Sequence, residues 1–265
     1  CRYVTDPVVN FTIMALIVIG GLGFAVWGDI RHHRRFSRLS VYSRLVVIIT
    51  TVLIFGGAGV FAALEWNNPN TIGDLTVPQK LMAALFQSVT LRTAGFATFD
   101  QNALSDVSKA ASDLLMLVGG CAASTCGSVK VIRVIVAFKL VVRSIYRRIH
   151  PRAIVSVKVG GKTVSAEVAA QITSFLLTFF VILLIGTLIL SLQGFDFLTN
   201  ISAAASVMSN TGIFFGDAGA SGNFSIFLPP LQLVLALLMV IGRLEIFTLL
   251  VLLSPSFWHP DRAID

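Results

Sequence analysis

The sequence predicts an all-α polytopic membrane protein, built from repeated units of span, re-entrant helix and span, with one short cytoplasmic β-hairpin. Three observations carry that prediction. Of the 265 residues, 55% are hydrophobic and only 12% charged, with a mean hydropathy of +0.86, against roughly 45–50% apolar and 25% charged in soluble domains. Apolar runs at 11–30, 41–64, 110–142, 168–192 and 227–253 reach the ~20 residues that cross the hydrocarbon core. Between these runs lie two apolar stretches, within 77–100 and 195–219, that are too short to cross and read as re-entrant.

The elements follow in chain order. The opening CRYVTDPVVN has neither an initiator Met nor the basic n-region of a signal peptide, so it reads as the middle of a longer chain running into the first span. The basic blocks RHHRRFSR (31–38) and KLVVRSIYRRIHPR (139–152) abut span ends, whereas EWNNPNTIGD (65–74) and residues 200–223 hold almost no Lys or Arg. Basic loops mark the cytoplasmic side. The five runs then alternate from outward-to-inward to the reverse, placing the C-terminus in the cytoplasm. The net charge of +7 is therefore a membrane-topology signal. No groove-reading or base-stacking motif accompanies the blocks, so nucleic acid is excluded. Three cysteines, two of them inside a span (Cys121 and Cys126), make neither a disulfide framework nor a zinc site.

The re-entrant stretches repeat each other. In 77–100 a Ser88-Val89 pair precedes Thr93 and Gly95; in 195–219 a Ser206-Val207 pair precedes Thr211 and Gly212, with a gap one residue shorter. The runs MALIVIGGLGF (14–24), LLMLVGGCAAS (114–124) and LALLMVIGRLE (235–245) align on Gly20, Gly119 and Gly242. Such internal similarity settles architecture. It divides the chain into 1–40 (the last span of an incomplete repeat and a basic loop), 41–152 (a complete repeat), 153–167 (a hairpin linker) and 168–265 (a second complete repeat and tail).

Non-helical backbone at membrane depth is tolerated only where protein buries it or water meets it. A short helix feeding a Thr/Gly loop is the form of an ion filter, in which backbone carbonyls replace a cation's hydration shell and Gly supplies the necessary dihedrals. TAGF (Thr93, Ala94, Gly95, Phe96) and NTG (Asn210, Thr211, Gly212) are the filter candidates, with K+ held by the carbonyls of Thr93, Ala94, Asn210 and Thr211. The alternative is a loop that plugs a bundle. Within the middle run, GGCAASTCGSVK (119–130) is poor in helix formers; Gly costs about 1 kcal/mol against Ala in a helix. Either this segment unwinds, or its small residues pack against a neighbouring helix. Arg243 is an ionisable residue at membrane depth and so a functional candidate; the alternatives are an ion pair with Glu245 or snorkelling. Lys130 and Arg133 read as interface anchors.

Several stretches imitate other chemistries. SVKVGGKT (156–163) ends like a phosphate-binding loop but has Ser156 where that motif needs Gly, and reads better as a hairpin on Gly160-Gly161. His32, His33 and His150 lack metal-ligand spacing. No nucleophile–base or paired-carboxylate arrangement argues for an enzyme.

QSVTLRTAGF (87–96), GGCAASTCGSVKVIR (119–133), HPRAIVSVKVGGKTVSAEV (150–168) and GRLEIFTLLVLLSPSFW (242–258) resemble the C-terminal half of the Trk/Ktr superfamily of potassium transporters, the last two stretches looking more like the TrkH/TrkG branch than like KtrB. The resemblance covers essentially the whole chain. It implies four K+-channel-type repeats around one pore, of which this chain would hold the end of the second and all of the third and fourth. It also implies location in the bacterial cytoplasmic membrane, a homodimer and a cytosolic nucleotide-binding subunit of TrkA type. K+ would be the transported ion, with no covalent cofactor. On the family pattern, 119–128 is an intramembrane gate (Gly119, Gly120, Ser124, Thr125, Gly127, Ser128) and Arg243 a charge barrier beneath the filter. Here Ala123, Cys126 and Ser128 stand where the family loop tends to carry Gly. The rival functions are an ion-coupled (Na+ or H+) secondary transporter with a midplane site, and a non-conducting fragment that needs a separate N-terminal half.

Overall fold

Helix starts follow capping chemistry. In the computed structural model, which describes residues 3–33, 35–121, 124, 126–153, 156–159, 162–216, 223–244, 246–248 and 251, α1 (Pro7–Leu22) begins on Asp6, whose carboxylate accepts from the Val8 and Val9 amides. Ser40 caps α3 (Val41–Glu65), Ser105 caps α5 (Asp106–Leu117), Ser165 caps α7 (Ala166–Leu190) and Asp196 caps α8 (Phe197–Ser209). Proline occupies the first turn of α4 (Val77–Thr90) and α9 (Pro229–Arg243), where its missing N–H costs nothing. α2 (Phe24–His33) and α6 (Val131–Ile149) complete the helices named here. β1 (Lys158–Val159) pairs antiparallel with β2 (Lys162–Thr163), Val159 opposite Lys162. The glycines expected to turn this hairpin, 160 and 161, lie outside the described residues.

α3 and the helical stretch from Ala166 to Gln193 are each long and apolar enough to cross a membrane, with mean hydropathies of 2.5 and 2.8. The straight span expected over 11–30 is not formed: α1 and α2 are bent by 92° at their junction, where Gly23 takes φ +79°. The bend leaves the Gly21 carbonyl to accept from the Cys121 amide, so a terminal carbonyl of α1 is satisfied by a neighbouring segment. The run expected over 227–253 is likewise interrupted. α9 stops at Arg243, and Ile246 takes φ +50°, a conformation that a β-branched residue rarely adopts.

These breaks are related. α1 ends two residues after Gly20, α5 two residues before Gly119 and α9 one residue after Gly242, so all three glycines that align in the sequence sit at a helix terminus. The weak point of the middle run is thus a property of every such helix in the chain.

α4 and α8 are the short helices between the long ones, and each is buried almost all round, polar residues included. Gly57 lets α4 approach α3: a Cβ there would meet Ser88 Oγ at 2.4 Å, and Ser88 Oγ donates to the Ile54 carbonyl at 2.7 Å. α8 packs in a cluster formed by Phe175, Phe179, Leu183, Ala204, Leu235 and Leu238. The α3–α6 and α7–α9 parts of the chain interlock, because Ile213 and Phe215 enter the cluster of Phe61, Ala83, Leu91 and Met116, while Val129 joins the cluster of Phe175, Phe179 and Leu183.

Glu65 closes the C-terminal end of α3. It is 1% exposed, and its carboxylate accepts from the Ser105 amide and hydroxyl, Ser108 Oγ, Asn68 Nδ2 and Thr71 Oγ1. A buried carboxylate with this many donors ties α3 to the start of α5. Glu65→Ala strands these donors and is expected to cost about 3 kcal/mol, read as a lowered thermal midpoint of the detergent-solubilised protein. Glu167→Ala, on the exposed first turn of α7, should leave the midpoint unchanged.

Candidate functional site

The backbone after α4 and after α8 makes the same turn. Thr93 (φ +64°) and Gly95 (φ +76°) in the first loop match Asn210 (φ +57°) and Gly212 (φ +92°) in the second. The left-handed positions therefore equate Thr93 with Asn210, Ala94 with Thr211 and Gly95 with Gly212. This corrects the pairing of Thr93 with Thr211 that the residue types invite. Asn is among the few non-glycine residues that enter this region readily, so it can stand where the other loop has Thr.

The amides of each loop fold back onto the helix that feeds it. Ala94 and Gly95 donate to the Thr90 carbonyl and Phe96 to Thr90 Oγ1 at 2.7 Å; Thr211 donates to the Ser206 carbonyl and Gly212 to Ser206 Oγ at 3.0 Å. The carbonyls of Thr93, Ala94, Gly95, Asn210, Thr211 and Gly212 accept no hydrogen bond among the described residues. The loops touch at Gly95, where a Cβ would lie 1.9 Å from the Thr211 carbonyl oxygen.

The described residues between α5 and α6, 118–121, 124 and 126–130, are not helical. Their limbs are joined: Val118 and Val129 form a parallel bridge, the Gly119 amide donates to Val129 O and the Val131 amide to Gly120 O, and Ser128 Oγ bonds the Leu117 carbonyl. Ser128 takes φ +66°, the strained region for which glycine is suited. The segment packs on the second loop, since a Cβ on Gly127 would lie 2.8 Å from Ser209 O and 3.1 Å from Asn210 Nδ2. Gly119, Gly120, Ser124, Gly127 and Ser128 thus belong to one excursion; Thr125 lies outside the described residues.

Arg243 ends α9 with an exposed side chain. Its neighbour Gly242 abuts the end of α8, with the Met208 carbonyl 2.0 Å from where a Cβ would stand, and Asn210 Nδ2 donates to Met239 O. Glu245, its alternative partner, is outside the described residues. Arg133 lies 4.1 Å over the ring of Phe175, a packing contact between α6 and α7.

The profile of the family described as "TrkH: Cation transport protein" matches residues 1–260. The chain belongs to the TrkH cation transport family. It is 32% identical over 257 residues to the Ktr system potassium uptake protein B of Vibrio alginolyticus, covering 95% of this chain and 53% of that protein. Against the Trk system potassium uptake protein TrkH of Escherichia coli K12 it is 29% identical over 274 residues, covering 97% and 52%. The crystal structure of the potassium transporter TrkH from Vibrio parahaemolyticus superposes with a TM-score of 0.80 at 28% identity, over 94% of this chain and 52% of that one. The chain therefore spans about half the length of these relatives. The relatives include both KtrB and TrkH proteins.

Three further residues of this TrkH-family chain support the loops and were passed over in the sequence. Half-buried Asp113 accepts from Ser202 Oγ at 2.9 Å, and that hydroxyl accepts from the Phe215 amide at 3.0 Å. Asn102 Oδ1 accepts from the Gly216 amide, bracing the same strand. Arg92, only 8% exposed, sends its guanidinium towards the carbonyls of Thr50 and Gly119. Asp113 and Arg92 were visible as charges inside apolar surroundings, which is a functional signal at membrane depth; Asn102 had no such signal.

The two glycines of the loops should respond differently to a methyl group. A Cβ on Gly212 meets nothing within 4 Å, so Gly212→Ala adds only the left-handed penalty of about 1–2 kcal/mol. Gly95→Ala adds the collision with Thr211 O and is expected to lower the thermal midpoint by at least twice as much in the same denaturation measurement.

Proposed function

We propose that the chain supplies two of the four carbonyl-lined units of a K+-uptake pore in a bacterial cytoplasmic membrane. The observation that carries this reading is the pair of matched loops. Alternating left- and right-handed residues turn successive N–H groups to one side and their carbonyls to the other; here the amides bond the helix end, leaving the carbonyls of Thr93, Ala94, Asn210 and Thr211 to replace water around a cation. Backbone carbonyls suit K+, a weakly hydrated monovalent cation, and need no cofactor. Phe96 flanks the first unit, exposed beside it. In this reading 41–152 and 168–265 are the third and fourth repeats and 1–40 the end of the second, with the other units provided by sequence outside these 265 residues.

The segment 119–128 is the gate, its Gly127 backed onto the second loop, and Arg243 is a charge barrier on the path. The basic ends of α2 and α6 face the cytoplasm with the hairpin and the C-terminus, where a nucleotide-binding TrkA-type subunit docks; the transporter is a homodimer surrounded by lipid. The names of the relatives, all potassium uptake or potassium transport proteins, support K+ as the ion.

Rb+ uptake into cells lacking their own K+ uptake tests this, with the chain expressed alone and together with an N-terminal half from a relative. Uptake is expected with both parts and lost with Gly95→Asp, which places an anion and a clash against Thr211 O. Arg243→Ala should raise flux severalfold, the scale on which one removed unit charge alters a barrier. Absence of uptake despite confirmed insertion of both parts would overturn the reading.

A further inference from the structure

A buried cation beside a cation path needs a reason to be there. Arg92 immediately precedes Thr93, and among the described residues its side chain makes two long donations, 3.5 Å to the Thr50 carbonyl and 3.4 Å to the Gly119 carbonyl. Its Nε has no acceptor among the described residues, and no carboxylate among them pairs with it. Burying a guanidinium on so few carbonyl dipoles is costly, so its position is set by the two carbonyls that remain.

Those contacts reach both limbs of the interrupted segment. Gly119 stands at the start, its amide bonded to Val129 O; at the far end, Cys126 Sγ donates to the carbonyl of Arg92 itself at 3.8 Å. The same thiol sits 3.5 Å from where a Cβ on Gly21 would lie. A cavity of about 320 Å³ lies alongside, lined by Gly20, Arg92, Thr93, Ala94, Phe96 and Cys126 among others.

We propose that Arg92 is a positioning residue that latches the interrupted segment onto the first loop, holding Gly119 through its guanidinium and Cys126 through its carbonyl. The inference rests on the reading of 119–128 as a gate. Movement of the segment breaks the Gly119 contact and turns the charge towards the cavity, next to the Thr93 carbonyl. Loop occupancy and gate position are then coupled, and the coupling is reciprocal.

Cys126 reports the latch directly. In membranes containing the full chain with Cys1→Ser and Cys121→Ala, so that Cys126 is the remaining cysteine, its rate of modification by a cationic methanethiosulfonate is measured. Arg92→Gln should accelerate modification roughly tenfold, the effect of losing one charge-assisted hydrogen bond, while Arg92→Lys, which keeps a charge within reach of Gly119 O, should stay within about threefold of the parent. Unchanged reactivity in Arg92→Gln overturns the latch, and so does equal acceleration in both variants. Should Arg92→Gln not reach the membrane, Arg92→Met, an unbranched apolar replacement, takes its place in the same comparison. Rb+ uptake is followed in parallel with the N-terminal half present. No uptake by the parent with the reactivity contrast intact removes the pore reading and keeps the latch; uptake without the contrast does the reverse.

Discussion

Peptide groups that leave a helix at membrane depth have no water to meet and must be satisfied by protein, or be kept for a ligand. That constraint shapes both loops. The amides of Ala94 and Gly95 after α4, and of Thr211 after α8, are drawn back to the helix end, with a hydroxyl, Thr90 Oγ1 or Ser206 Oγ, accepting the next amide that the helix carbonyls cannot reach. Further along the second loop, Ser202 and Asn102 accept the amides of Phe215 and Gly216. The amides of Ala94, Gly95, Thr211 and Gly212 are spent inward, while the carbonyls of Thr93, Ala94, Asn210 and Thr211 accept no hydrogen bond among the described residues. The interrupted segment obeys the same constraint differently, joining its own two limbs through Gly119, Val129 and Val131.

Small residues permit these arrangements. Gly57 brings α4 against α3, Gly242 brings α9 against the end of α8, and Gly127 brings the interrupted segment against Asn210. In each case the side-chain volume removed is replaced by a backbone or hydroxyl group of a neighbour, so the short helices α4 and α8 are still enclosed on most sides. Packing of this kind substitutes for the hydrophobic effect, which gives little drive between helices already in lipid.

Much of this was legible in the sequence because it is written in period and length. The two uninterrupted runs, α3 and α7, the two short helices and the alignment of Gly20, Gly119 and Gly242 are all composition over a window. The exact dihedral match of the loops was not, because Thr93 and Asn210 share a conformation and not a side chain; only φ shows that they correspond. The right-angled turn at Gly23 was hidden for a related reason, since a glycine in an apolar run is equally compatible with a continuous helix. Arg92 was quoted within its motif, but its role depends on what Gly119 does 27 residues later. Asp113 depends on Ser202, 89 residues away. Local patterns carry no information about partners at such separations.

The contact of Gly95 with the Thr211 carbonyl also bears on how the molecule is made. The two residues are 116 positions apart in the chain, so the first loop is synthesised and its helices are inserted well before its wall exists. Until α8 arrives, Gly95 faces a neighbour that has not yet been translated, and the cluster around Phe61 lacks Ile213 and Phe215. The first repeat therefore matures last in its most demanding part. The close packing around Gly95 is completed only when residues more than a hundred positions later are in place.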